Sequence, residues 1–335
     1  MAKVLNLTPP PTGHELLLKA FEESDGKMVE FTDEQEVVGL TPEMFQWWMV
    51  NIPTYYRLWY PKMHFVEERW QTSEGEMRGI IKEMIWPYYC ELNIGVGPGG
   101  LHLLTPDGEI MGKVGGGLRP TSDGIIMEAV HTLPAKTPES FCDAIRAHFK
   151  EEVQDLPRFL PQLYKHPERY EQPPTGHELL LKAFEESGDK TVDVVVDQQI
   201  AGITPEMFQW WMVNSIPYYR LWCPEMHFVS EVVLPPGATE SRIIIKEMIW
   251  PYYCEFRVGL QAGGGGSLLT PDDKKMGQLI HTFTASSQGI NLHSIFTFPE
   301  TTPQPFLDAM REHCIKEFQD LPRFVPELYK QKTGK

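Results

Sequence analysis

Two copies of one histidine–glutamate pair stand in two similar segments, residues 147–165 and 312–330. His148 precedes Glu152 by four residues, and His313 precedes Glu317 by the same spacing. Residues four apart share one face of an α-helix, so each pair presents an imidazole beside a carboxylate. Such a pair can ligate a divalent metal, or it can form an ordinary hydrogen bond within the helix.

The helical pattern places both pairs on the face that should be buried. Apolar residues continue the same stripe on either side of each pair, as Phe141, Ile145, His148, Glu152, Leu156 and Phe306, Met310, His313, Glu317, Leu321. A carboxylate buried without a partner is strongly unfavourable, so each glutamate requires a cation, a proton or strong hydrogen bonds. A bound metal would supply the cation.

The chain is an internal duplication. The segment "PPTGHELLLKAFEES" begins at Pro10 and again at Pro173, and "TPEMFQWWMVN" begins at Thr41 and again at Thr204, both with an offset of 163 residues. The offset is 165 residues at the histidine–glutamate pairs, so the copies differ only by short insertions. A chain of 335 residues is long enough for two domains that each bury a core.

Each copy predicts an α+β domain. The Thr-Pro of "TPEMFQWW" favours a helix start, because threonine caps well and proline fits the first turn. Runs rich in β-branched and aromatic residues then alternate with glycines, which indicates antiparallel strands before a long final helix. We predict two tandem domains, residues 1–168 and 169–335, each with a curved antiparallel sheet that grips its C-terminal helix.

Matched histidines extend the set of possible ligands. Three pairs occupy equivalent positions in the copies: His14 with His177, His64 with His227, and His148 with His313. The first pair stands at a helix start, where capping or exposure is the simpler interpretation. The second pair ends the aromatic segments "YYRLWYPKMH" and "YYRLWCPEMH". We assign no role to the unmatched histidines, which are His102, His131, His166, His281 and His293.

Two matched glutamates in each copy compete for the strand position. Glu83 and Glu247 lie in "KEMI", inside an apolar strand, while Glu91 and Glu255 lie in "PYYCE" with the same strand parity. Two imidazoles and two carboxylates form a ligand set that suits zinc and leaves room for water. The pattern therefore predicts one metal pocket in each copy, built from the two matched histidines, one strand glutamate and the helical glutamate.

Composition excludes several other classes of function. The formal net charge of −16 and the absence of a Lys/Arg cluster argue against nucleic acid as a partner. No apolar run reaches the roughly 20 residues that span a bilayer, and the N-terminal segment has no signal-peptide core, so we expect a cytoplasmic protein without a membrane partner. The five cysteines form no CxxC pair, which favours free thiols.

Each copy resembles the diacetylphloroglucinol hydrolase and phloretin hydrolase family of metal-dependent carbon–carbon hydrolases. The resemblance lies in motifs that follow one another along the copy: "TPEMFQWWMVN", "YYRLWYPKMHF", "KEMI", and "HFKEE" before "LPRFLPQLY". The resemblance covers most of each copy. It implies a helix-grip fold of the START or Bet v 1 type, with Zn2+ or another divalent metal beneath the final helix. It implies the ligands His64, Glu83, His148, Glu152, His227, Glu247, His313 and Glu317, and the substrate-contacting tyrosines Tyr56 and Tyr219.

The implied reaction is hydrolysis of a C–C bond next to a carbonyl in a small acylated polyphenol or polyketide. A cyclase, dehydratase or isomerase of secondary metabolism could use the same pocket, and a non-catalytic carrier of aromatic ligands would need no metal. The chain departs from the family by its duplication, which suggests a pseudo-dimer within one chain. It also has Cys223 where the first copy has Tyr60, so the two pockets need not accept the same ligand.

Overall fold

The computed structural model describes residues 7–97, 99–234, 240–260 and 265–335. The described chain forms two compact units that correspond to the two sequence repeats. One unit is Pro11–Pro173, and the other is Pro174–Lys335 together with residues 7–10. The predicted boundary between residues 168 and 169 stays a prediction. Among the described residues, every helix is too short or too polar to cross a membrane.

The described residues of the first repeat form three α-helices and a seven-stranded sheet. The elements are α1 (Gly13–Glu23), β1 (Met28–Val38), α2 (Pro42–Tyr55), β2 (His64–Gln71), β3 (Met77–Ile85), β4 (Tyr88–Gly97), β5 (Gly100–Leu104), β6 (Ile110–Pro120), β7 (Gly124–Pro134) and α3 (Glu139–Lys165). The strand order is β1-β7-β6-β5-β4-β3-β2. All neighbouring strands are antiparallel, as the hairpin pattern predicts.

The second repeat has the same topology. Its elements are α4 (Gly176–Ser187), β8 (Thr191–Ala201), α5 (Pro205–Asn214), β9 (His227–Val233), β10 (Arg242–Ile249), β11 (Tyr252–Leu260), β12 (Gly266–Leu269), β13 (Lys275–Ala285), β14 (Gly289–Pro299), α6 (Gln304–Asp320) and α7 (Val325–Thr333). The strand order is β8-β14-β13-β12-β11-β10-β9. The final helix differs from the prediction, because a 3-10 turn at Leu321–Arg323 divides it, whereas α3 continues through Pro157 and Pro161.

Threonine side chains cap the N-termini of α1 and α2. Thr41 Oγ1 accepts a hydrogen bond of 3.3 Å from the backbone N–H of Met44, and Pro42 occupies the first turn of α2. The cap of α1 is Thr12, which forms a capping box with Glu15. His14 therefore does not cap the helix. Its Nδ1 instead accepts a hydrogen bond of 3.3 Å from the backbone N–H of a β4 residue, Glu91.

The C-terminal helix of each repeat packs its apolar stripe against the sheet. Phe141 and Leu156 are fully buried in the first repeat, and Phe306 and Leu321 are fully buried in the second. Complete burial of one such side chain stabilises the fold by about 1.5–3 kcal/mol. A curved antiparallel sheet closed on one helix is the helix-grip arrangement, so the predicted pair of tandem helix-grip domains is confirmed. The five cysteines are buried free thiols.

Candidate metal centres

A tight turn places the first histidine of each repeat. Tyr60 has a left-handed backbone with φ 50°, and its carbonyl accepts a hydrogen bond of 3.2 Å from the backbone N–H of His64. The backbone N–H of Tyr60 donates to a carboxylate of α3, Asp155, at 3.1 Å. Cys223 repeats this geometry with φ 45° and a bond of 3.1 Å to Asp320. A strained, doubly anchored turn of this kind fixes the start of β2 and β9.

The sheet places the strand glutamate opposite that histidine. His64 of β2 pairs with Glu83 of β3, and His227 of β9 pairs with Glu247 of β10. Residues directly opposite each other on antiparallel strands project from the same face and lie close together. Strand pairing alone therefore brings one imidazole and one carboxylate into each pocket.

The rival strand glutamates lie elsewhere. Oε2 of Glu91 lies 3.4 Å from the hydroxyl of Tyr89, and the backbone N–H of Glu91 donates to His14. In the second repeat, Oε1 of Glu255 accepts a hydrogen bond of 2.9 Å from Tyr253. The structure thus brings the KEMI glutamates, and not the PYYCE glutamates, to the two histidines of each predicted metal pocket.

The first pocket joins this strand pair to His148 and Glu152 of α3. Nε2 of His64 lies 3.8 Å from Oε2 of Glu83 and 3.3 Å from Oε2 of Glu152. Nε2 of His148 lies 3.7 Å from the same oxygen of Glu83 and 3.5 Å from that of Glu152. The two Nε2 atoms are 3.4 Å apart. Two imidazoles and two carboxylates therefore converge on one point.

The second pocket has nearly the same dimensions. Nε2 of His227 lies 3.8 Å from Oε2 of Glu247 and 3.4 Å from Oε2 of Glu317. Nε2 of His313 lies 3.7 Å from Glu247 and 3.6 Å from Glu317, measured to the same oxygens. Both histidines are buried, with exposed fractions of 1% and 5%. The duplication has preserved the geometry as well as the residue types.

The donor set fits a small divalent cation. Four ligands at about 2.0–2.1 Å around tetrahedral zinc stand about 3.3 Å apart, close to the distances in both pockets. In the described part of the chain, Nε2 of His227 and Nε2 of His313 are buried without a hydrogen-bond partner. Buried polar atoms are rarely left unsatisfied, and a shared cation would satisfy both. These sets stay candidate metal ligands.

Aromatic side chains enclose the histidine of each strand. The ring of Tyr56 stacks on His64 with centroids 4.4 Å apart, and Trp59 meets the same imidazole edge-on at 4.7 Å. The indole N–H of Trp59 donates to the backbone carbonyl of Glu152 at 2.6 Å. The same contacts recur at His227, where the stacked ring is Tyr219 at 4.4 Å. Each strand histidine is therefore held in one orientation.

The implied substrate-contacting tyrosines also bind the strand glutamates. Tyr56 donates a hydrogen bond of 2.5 Å to Oε2 of Glu83, and Tyr219 donates to Oε2 of Glu247. Burial, and then the negative charge of the partner carboxylate, raises the pKa of both phenols well above the usual value. Each tyrosine is therefore a protonated hydrogen-bond donor at neutral pH.

The pKa shifts of the candidate ligands have opposite directions in the two pockets. In the first, burial opposes ionisation, but contacts with His148 and His64 hold the pKa of Glu83 at about 2. Burial likewise lowers the pKa of His148, but the two carboxylates raise it to about 9. In the second, burial dominates, so the pKa of Glu247 rises to about 7 and that of His313 falls to about 4. Charge pairing therefore sets the direction of the shifts in the first pocket, and burial sets it in the second.

A cavity of about 110 Å³ adjoins the second pocket. Tyr219, Glu247, His313 and Glu317 lie on its wall, together with apolar side chains from the sheet and α6. A wider, open depression of about 500 Å³ lies over β8, β13 and β14, and none of its lining residues belongs to either ligand set. The cavity beside the second pocket is therefore the better ligand site. His281, which has no matched histidine in the first repeat, also lies on its wall.

Comparison with known proteins gives only distant likenesses. No protein-family model and no curated protein matches the chain. The di-domain aromatase/cyclase StfQ from the steffimycin biosynthetic pathway is 11% identical, with a TM-score of 0.29, and the match covers 92% of this chain and 100% of StfQ. The di-domain aromatase/cyclase BexL from the BE-7585A pathway is 11% identical, with a TM-score of 0.28, covering 89% of this chain and 96% of BexL.

A single-domain match involves Ara h 8.0201, with 10% identity and a TM-score of 0.33, covering 41% of this chain and 99% of that one. TM-scores this low carry no argument about this chain. The assignment of the fold therefore rests on the sheets and helices themselves, and the resemblance to the hydrolase family rests on the sequence motifs.

Proposed function

We propose that the protein is a metal-dependent hydrolase that cleaves the C–C bond between an acyl group and an electron-rich aromatic ring. The observation that carries the proposal is the convergence of two imidazole Nε2 atoms and two carboxylate oxygens, at 3.3–3.8 Å, inside each helix-grip domain. A divalent metal held there would polarise the acyl oxygen and make a water molecule a better nucleophile at neutral pH.

The chain's own residues account for the proton transfers. Hydrolysis adds water across the bond, so the acyl group leaves as a carboxylic acid and the ring carbon gains a proton. Tyr56 and Tyr219 are protonated donors beside the strand glutamates, so each can hold a ring oxygen and relay a proton. The strand glutamate, as the hydrogen-bond acceptor of that tyrosine, keeps the phenol oriented. A ring in its keto form can accept the electrons of the broken bond.

The size of the second cavity favours a small substrate. An engineered apolar cavity of about 150 Å³ binds benzene. The cavity beside the second pocket is somewhat smaller, at about 110 Å³. The second cavity therefore has room for at most a single aromatic ring, and the substituents of an acylphloroglucinol would have to extend beyond it. Aromatic and apolar walls with a few polar groups are typical of sites for such ligands.

Metal content and product analysis test the proposal together. Protein purified without chelator and resupplied with zinc should bind up to two ions per chain, since eight ligands are present. Incubation with a panel of acylphloroglucinols should release the free carboxylic acid and the deacylated ring. The Glu151→Gln variant, altered beside a ligand but not at one, is the control. A chain that binds no metal under these conditions would instead be a carrier of aromatic ligands.

A second candidate reaction uses the same residues without consuming water. A tyrosine that donates to a buried carboxylate could protonate a carbonyl and promote cyclisation, dehydration or isomerisation of a polyketide. The matched proteins StfQ and BexL are themselves described as aromatase/cyclases. Mass analysis separates the candidates, because hydrolysis splits the substrate and adds one water, whereas cyclisation keeps all carbons in one product.

A further inference from the structure

The wall of the second cavity carries a histidine outside the proposed ligand set. His281 of β13 lines the same enclosed space as Glu247, His313 and Glu317. Its ring meets Phe318 of α6 with centroids 4.9 Å apart, and it meets Phe296 of β14 at 5.5 Å. The imidazole is therefore an additional polar group within a mostly aromatic part of the wall.

A buried serine fixes the orientation of this imidazole. His281 and Ser294 are directly opposite each other in the β13–β14 pair, and Nδ1 of His281 lies 2.9 Å from Oγ of Ser294. Ser294 has no exposed surface. Among the described residues, Nε2 of His281 has no hydrogen-bond partner. The fold thus holds one ring nitrogen and leaves the other for a ligand.

The first repeat cannot present the same group. Gly116 and Ala129 occupy the places of His281 and Ser294, and they pair in the same register between β6 and β7. Gly116 has φ 156°, and a Cβ atom there would lie 1.9 Å from the carbonyl oxygen of Glu128. No side chain fits at this position without moving the strand. The two repeats therefore differ chemically at equivalent places, although their four-residue sites match.

We propose that His281 determines the specificity of the second repeat, where its Nε2 binds a ring hydroxyl of a single-ring phenol. This proposal deepens the proposed function, because the acyl group of that phenol would then point at the four-residue site. Burial lowers the pKa of His281 to about 4, so a neutral imidazole accepts the phenolic hydrogen at neutral pH. The first repeat has no acceptor at the place of His281; its buried His131 stands instead at the place of Phe296.

Binding of two probes to the zinc-loaded full-length chain tests the proposal. Trihydroxyacetophenone carries the ring hydroxyls, and acetophenone lacks them. In His281→Phe, calorimetry should show about tenfold weaker binding of trihydroxyacetophenone, the effect of one buried hydrogen bond, with acetophenone unaffected. His293→Phe is the control, because His293 of β14 lies outside this cavity and contacts Asp197, and it should leave both affinities unchanged.

A measurement on the wild-type protein tests the same contact without a variant that could misfold. Side-chain nitrogen NMR of the wild-type protein should show a shift of the His281 resonance when trihydroxyacetophenone is added, but not when acetophenone is added. Ser294→Ala, which frees the ring without removing it, should lose part of the preference. The proposal is overturned if His281→Phe keeps the full preference, or if trihydroxyacetophenone does not perturb His281. Loss of the preference in a protein without turnover would support the role of His281 while contradicting the hydrolase.

Discussion

The hydroxyl of Tyr56 donates a hydrogen bond of 2.5 Å to Oε2 of Glu83, while its ring stacks on His64 at 4.4 Å. One side chain thus orients two candidate metal ligands at once. Partners that orient a ligand usually tune metal affinity strongly. Tyr219 makes the same two contacts with Glu247 and His227, so both repeats share this arrangement.

Replacing Tyr56 by Phe should weaken the metal site without emptying it. The ring still stacks on His64, but Glu83 loses its hydrogen bond, so zinc affinity of the first repeat should fall by about 10–100-fold. Competition with a chromophoric chelator measures this affinity. Tyr60→Phe is the control, because the hydroxyl of Tyr60 donates to Glu151 and not to a ligand. Equal zinc affinities in both variants would show that the Tyr56 hydroxyl has no role at the metal.

Removing one helical carboxylate should remove one metal ion. Glu152→Gln and Glu317→Gln keep the side-chain size but lose a charged ligand, so each should lower zinc content by one ion per chain. The double variant should bind none and have no hydrolase activity. Elemental analysis after dialysis gives the counts, with Glu151→Gln as the neighbouring control. A folded double variant that keeps its metal and activity would reduce both histidine–glutamate pairs to ordinary buried hydrogen bonds.

The repeats and the helical stripe could be predicted from sequence because they depend on local spacing. The choice between Glu83 and Glu91 could not, because counting along the sequence gives them the same parity, whereas the pairing of β3 with β4 places them on opposite faces. That choice depends on strand register, which sets Glu83 opposite His64 and Glu91 beside Lys82. The histidines that the copies share predict the four-residue sites, but this comparison leaves out His281, which only the second repeat has. A residue that occurs in only one repeat cannot be identified from the positions at which the two repeats agree.

The protein should lose stability in acid partly because of His131. This side chain is 5% exposed, and burial, with the nearby Arg146, lowers its pKa to about 4. The unfolded chain, with a histidine pKa near 6.5, binds the proton more readily, so stability falls as pH drops from about 6.5 to about 4. At pH 5 the loss from this residue should be about 2 kcal/mol.

His131→Phe isolates that contribution from the titration of the metal sites. The variant carries the residue that the second repeat has at this place, Phe296, so the packing should tolerate it. Urea unfolding at pH 7 and pH 5 should show a smaller acid loss in the variant than in the wild-type protein. Exposed His166→Gln serves as the control and should match the wild type. Identical acid losses in all three proteins would exclude His131 as the cause.

The position of a cut between the repeats should decide how stable the first repeat is alone. The linker residue Gln172 accepts a hydrogen bond of 3.3 Å from the backbone N–H of Arg57 and lies 3.4 Å from the carbonyl of Pro53. Tyr55 also approaches the carbonyl of Pro167 at 3.4 Å.

Because these bonds belong to the first repeat, fragment 11–173 should unfold at higher urea than fragment 11–165. We expect a difference of about 1–3 kcal/mol from two or three net hydrogen bonds. Both fragments should unfold cooperatively, and Gln172→Ala in fragment 11–173 should reproduce part of the loss of stability. If neither fragment forms secondary structure, the repeats are not independent domains and the boundary near residue 168 is wrong.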